Sequence, residues 1–148
     1  MKETIIRHFE IGIQNLIKEL NAFPDEASIW QVLPGVSNSP GNLCYHLWGN
    51  LNHFVGHHLG NTGYVRNRPL EFSIKDVPRA ELIQKMEESA AMLRTVISAI
   101  PDLDAAYPDN DFGKTGPIDF QLIRLYGHLV YHLGQINYLR RIAAADGN

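Results

Sequence analysis

The chain has 148 residues, a net charge of −3 and a single cysteine, Cys44. That length suits one domain, residues 1–148, with a sizeable core, and the mild acidity without a lysine or arginine cluster excludes a nucleic-acid surface. One cysteine excludes an intrachain disulfide, no apolar run reaches membrane-spanning length, and the charged start (Lys2, Glu3, Arg7) lacks a signal-type run, so a soluble cytoplasmic protein is expected.

Helical periodicity dominates the chain. A first helix is predicted from about Lys2 to Ala22, with Ile5, Ile6, Phe9, Ile13, Leu16, Ile17 and Leu20 at core spacing and Pro24 closing it. The turn-rich stretch Leu33 to Gly41 then leads into a second helix, capped by Ser39 and opened by Pro40. This helix is predicted to run to about Gly60, a natural terminating residue. On its wheel His46, Asn50 and His57 fall within ~40° of one another, at the edge of the apolar face beside Leu43 and Phe54. His53 lies ~20° further out, and Asn42 lies ~40° out, towards solvent. Cys44 falls inside the apolar arc and reads as an inert buried thiol. His58 falls on the apolar side and His8 on the edge of helix one; both read as structural.

The connection Asn61 to Val77 carries Tyr64, Arg66, Arg68 and Phe72. Its two arginines suit either a clamp on an anionic substrate or a solvated loop. A third helix, started by Asp76 and Pro78, is predicted over Arg79 to Ile100, with Leu82, Met86, Ala90, Leu93, Val96, Ile97 and Ile100 inward and Pro101 ending it. Asp102 to Gly116 is acidic and glycine-rich, with Tyr107 and Phe112 as anchors; Asp109-Asn-Asp111 imitates a calcium loop but lacks its late glutamate and reads as a turn.

The fourth helix, capped by Thr115, opened by Pro117 and running to about Ala143, carries the most informative motif. His128, His132 and Gln135 fall within ~60° on a wheel shared with Leu125, Ile136 and Leu139, so both imidazoles face inward. Two histidines one turn apart can hold a metal ion; buried without one, their nitrogens need other partners. A metal needs a third ligand. Spacing alone does not decide among the histidines of helix two, and helix geometry favours His46, which leaves Asn50 and His57 further along as groups around the pocket. His53 fits either a base near the site or a surface residue, and Gln135 either a partner of a ligand histidine or a helix–helix contact. The sequence thus predicts an all-α fold of four main helices with long connections, in which helices two and four are neighbours.

The opening Asn42-Leu43-x-x-His46-Leu47 and the late His128-x-x-x-His132-x-x-Gln135, in that order and over essentially the whole chain, resemble the DinB-like superfamily of metal-binding four-helix bundles, which includes bacillithiol- and mycothiol-dependent transferases. The resemblance implies one divalent metal held by His46, His128 and His132. The extra histidines His53, His57 and His58 lie outside the general pattern of that family and mark an uncharacterised branch. Three neutral imidazoles leave coordination positions open, as in catalytic sites, and suit zinc or nickel, with iron or manganese as further choices. Such a centre lowers the pKa of water or of a low-molecular-weight thiol, so the expected function is a metal-dependent thiol transferase or hydrolase acting on a small molecule. The competing expectation is a non-catalytic, stress-related bundle that uses its metal or ligand for stability. Leu122, Leu129, Val130 and Leu133 lie beyond the histidine sector of helix four, and a homodimer through that strip is expected.

Overall fold

A computed structural model describes residues 1–108, 113 and 115–146. It is all-helical, with no strand among the described residues. The helices are α1 (Lys2–Ala22), α2 (Glu26–Ile29), α3 (Pro40–Leu51), α4 (Arg68–Ser73), α5 (Arg79–Ala99) and α6 (Ile118–Asp146), and α3 continues without a break into a π-helical segment, Asn52–His57. None of the helices is long and apolar enough to cross a membrane.

Burial of one apolar stripe per helix sets the packing. All seven residues predicted inward on α1 lie in or against the core, with Phe9, Leu16 and Leu20 fully buried. On α5, Leu82, Met86, Leu93 and Ile97 are likewise sealed. α1 packs on α5 and α6, and α3 packs on the same two helices, so α3 and α6 are neighbours as expected. Arg94 reaches from α5 to Glu3 and Glu10 of α1, and Arg140 and Asn137 of α6 bond Glu19 of α1.

Three local departures from the predicted elements bear on the site. First, α3 does not stay α-helical to Gly60. The Asn52 side chain donates to the Trp48 carbonyl, the same acceptor its own backbone N–H uses, and the winding loosens there into the π segment. A wheel of 100° per residue therefore fails beyond Leu51. Second, the connection 61–77 is not a plain loop. Asn67 caps α4, its side chain accepting from the Leu70 N–H at 3.2 Å, with Pro69 in the first turn. Third, α6 begins at Ile118 without Thr115 as its cap. Its first donors are met by backbone instead: the Ile118 N–H donates to Ala105 O and that of Asp119 to Leu103 O. Ser39 caps α3 as predicted. Asp76, at φ 59°, lies ahead of α5, whose Arg79 N–H donates to the Glu26 carboxylate.

Candidate metal centre

The sequence places the histidine pair on α6 and His46 on α3, and the packing of these two helices brings them together. The Nε2 atom of His128 lies 3.2 Å from that of His46 and 3.1 Å from that of His132. One ring nitrogen from each of the three lies within 4.8 Å of the others, and this is the only such group of three or more potential ligands among the described residues.

The outer nitrogens explain the orientation of two rings. His46 Nδ1 is 2.9 Å from Glu71 Oε1, and because a carboxylate only accepts, the ring proton sits on Nδ1. His132 Nδ1 is 2.7 Å from Gln135 Oε1, one helical turn on, and donates to it. Both Nε2 atoms then present lone pairs inward. His128 has one proton to give at Nε2 at most, and two acceptors stand at hydrogen-bond distance from it. Neutral rings thus leave one close nitrogen–nitrogen contact without a proton. A shared cation resolves the conflict, since two nitrogens ~2.0–2.1 Å from a tetrahedral zinc stand ~3.3 Å apart. The donor set fits. Half-burial of His132 lowers its pKa, and the His46 ring adds to this against the Gln135 hydrogen bond, so the neutral, ligating form is favoured.

Glu71 is the functional residue the sequence reading missed. It is 1% exposed and accepts from His46 and, in a bidentate pair at 2.8 and 2.9 Å, from Arg66. Burial pushes its carboxyl up, but the hydrogen bonds from His46 and Arg66 outweigh this and hold it below the ordinary carboxylate range. Gly49 makes room for it: a Cβ there would stand 2.0 Å from Glu71 Oε2. Asn42, placed towards solvent by the wheel, is instead 1% exposed. Its side chain donates to the carbonyls of Glu71 and Ile74, so it fastens α4 against α3. The wheel failed because it registers only its own helix, not the α4 segment that lands on Asn42. Asn67 and Pro69 were the signal for α4, and hence for a structured carrier of Glu71.

The remaining predicted residues divide. Asn50 is buried and lines a cleft of about 270 Å³ with His46, His128, Phe54, Arg66, Arg68, Arg124 and Leu125. His132 and Gln135 line a second, larger cleft of about 530 Å³ with Leu43, Tyr131 and Tyr138. His53 and His57 line neither. π winding stacks residues five apart, so His53 Nε2 meets His58 Nε2 at 3.2 Å, and His57 is exposed beside them. Arg66 is committed to Glu71 rather than open to a substrate.

Cys44 is buried, which pushes its thiol up to about 12 and leaves it unreactive at neutral pH. Tyr107 is the anchor expected, its hydroxyl donating to Phe54 O; Phe112 and Asp109-Asn-Asp111 lie outside the described residues. His8 is exposed against Tyr126. Leu122 and Leu129, assigned to a dimer strip, are fully buried because α6 packs on α1 and α3 at once. Val130 of that strip is exposed, and the outer face of α6 carries it together with Phe120, Ile123, Tyr131, Tyr138 and Ile142. Set against protein-family models, curated proteins and solved structures, the chain matches none.

Proposed function

We propose that the chain is a four-helix bundle of DinB-like type that holds one divalent metal ion, zinc or nickel before iron or manganese, between His46, His128 and His132. The carrying observation is the convergence of three Nε2 atoms, two of them on rings whose Nδ1–H is held from behind by Glu71 and Gln135. Outer partners of this kind fix the tautomer and raise the basicity of a ligating imidazole. The adjacency of α3 and α6 and the match of His46, His128, His132 and Gln135 to the DinB-like pattern support the same reading.

We further infer a metal-dependent enzyme of the thiol-transferase or hydrolase kind. When bound, the ion supplies Lewis-acid activation of water or a low-molecular-weight thiol. The chain's own contribution is positional. Glu71 and Gln135 hold two ligand rings, Asn42 and Gly49 hold Glu71, and the cleft beside His46 and His128 admits a small molecule.

Elemental analysis of protein purified without a nickel column tests the centre. Wild type should carry close to one equivalent of divalent metal and the His132→Ala variant little. Protein that stays metal-free after zinc, nickel and manganese additions refutes the proposal. Panels of thiol-conjugation and amide-hydrolysis substrates test the activity. A protein whose melting temperature falls on chelation, but which shows no metal-dependent turnover, is the non-catalytic bundle instead.

A further inference from the structure

His132 and Gln135 line the second cleft, whose volume of about 530 Å³ lies in the range of small-molecule sites. One wall comes from the connection ahead of α3. Pro34 and Gly35, the latter at φ 81°, make a turn closed by the Val36 N–H donating to Leu33 O at 3.1 Å, the pattern of a type II turn. Val36 packs from this turn against the core, and exposed Ser37 follows it along the cleft. The other wall is α6, where Tyr131, Tyr138 and Ile142 share one exposed stripe. Leu43 and Leu139, both buried, complete the apolar lining. The Tyr131 ring also packs on His132, their centres 5.2 Å apart. Seen from Tyr131, Gln135, Leu139 and His132 turn ~40–100° round the helix to the cleft side, while Gly127 and Gly134 turn ~40–60° the other way. A second copy packed over the glycine side therefore leaves the cleft open.

We propose that this cleft binds the flat, apolar body of a small molecule, an aromatic ring system held between Val36 and the two tyrosines, with its polar end at Gln135 and His132. Tyrosine rings and aliphatic side chains together favour a planar apolar partner, since ring pairs gain attraction beyond the area they bury. The Gln135 oxygen takes the His132 Nδ1 proton at 2.7 Å, and the same amide carries two N–H donors that suit a carbonyl or ether oxygen of the bound molecule. A molecule seated this way has one end against a ring of the three-histidine group. The inference deepens the metal-centre reading and rests on it for the reacting group, but not for binding of the apolar body.

Calorimetric titrations with coumarin, an uncharged aromatic carrying a carbonyl, and with glucose as a polar molecule of similar size test the site, on metal-loaded and on chelator-stripped protein. Coumarin should bind both forms, with an enthalpy that grows more negative on warming, the mark of apolar burial; glucose should bind neither. Ser37→Trp, an exposed change that fills the cleft, should abolish coumarin binding at an unchanged melting temperature. Tyr131→Ala, at a side chain 64% exposed, should weaken it about two- to tenfold, the loss of one ring contact, and decides the matter alone should Ser37→Trp melt early. Light scattering accompanies each titration. Wild type and both variants titrating alike overturns the proposal, as does glucose binding as tightly as coumarin. Coumarin that binds only once a dimer has dissociated places a second copy in the cleft and overturns it too. Metal-loaded protein that binds no coumarin at millimolar concentration sinks this inference alone and leaves the metal centre standing. Protein that never takes up metal, yet binds coumarin through Tyr131, upholds this inference and removes the metal reading.

Discussion

Glu71→Gln separates what holds the fold from what orients the centre. The substitution keeps shape and an acceptor for His46 but removes a charge that is 1% exposed and bonded to both His46 and Arg66. Arg66, 7% exposed at its side chain, loses the carboxylate of its bidentate pair. Breaking a buried pair in this way costs about 3–5 kcal/mol. That is a large part of the roughly 5–15 kcal/mol that holds a domain together. For a chain of this size it lowers Tm by about 6–20 °C. A second loss concerns the ligand. A neutral amide orients His46 less firmly, and loss of an outer partner lowers metal affinity about 10- to 100-fold. Thermal melts and chelator competition read the two losses apart. The double variant Glu71→Gln with Arg66→Met removes the cation as well as its carboxylate, so it should recover much of the Tm and none of the metal affinity. A Glu71→Gln protein that melts within about 2 °C of wild type and keeps its metal affinity would refute the reasoning.

Gly49→Ala should destabilise, although alanine ordinarily stabilises a helix interior by about 1 kcal/mol over glycine. The new Cβ would stand 2.0 Å from Glu71 Oε2, so Glu71 must leave His46; a Tm above wild type would contradict this. Glu19 gives a pH test. Burial raises its carboxyl, but bonds from Arg140 and Asn137 outweigh that and hold it below its ordinary value of 4.5. Its contribution to stability is therefore complete above pH 4.5 and lost as pH falls through the lower folded value. Melts across that range should show a shallower acid decline in Glu19→Gln than in wild type. A homodimer is still expected, now through the outer face of α6. There Tyr131 and Tyr138, seven apart, alternate with Gly127 and Gly134, whose Cβ positions are open, which suits twofold self-packing of ring over glycine. Light scattering should give twice the chain mass for wild type and one chain mass for Tyr138→Glu; a monomeric wild type rules the dimer out.

What could be read from the residues follows how local each signal is. His128, His132 and Gln135 lie on an uninterrupted α-helix, where 3.6-residue spacing carries orientation over many turns, and all three stand where the wheel put them. His46 and Asn50 lie on α3 before the winding changes, and they too reach the site. Beyond Leu51 the same wheel put His57 beside His46 and Asn50, where it does not lie, because a π segment adds residues per turn and composition gives no warning of it; for His53 the wheel left pocket and surface both open. Glu71 was illegible for a different reason. Its role depends on a contact 25 residues away in sequence, on a six-residue helix too short to show periodicity. The arginine beside it misled for the same reason: Arg66 looks like a free cation until the buried carboxylate it serves is found. The candidate ligand histidines are legible through their own helices. The residues that aim them come from elsewhere in the chain, and only packing brings them to the rings.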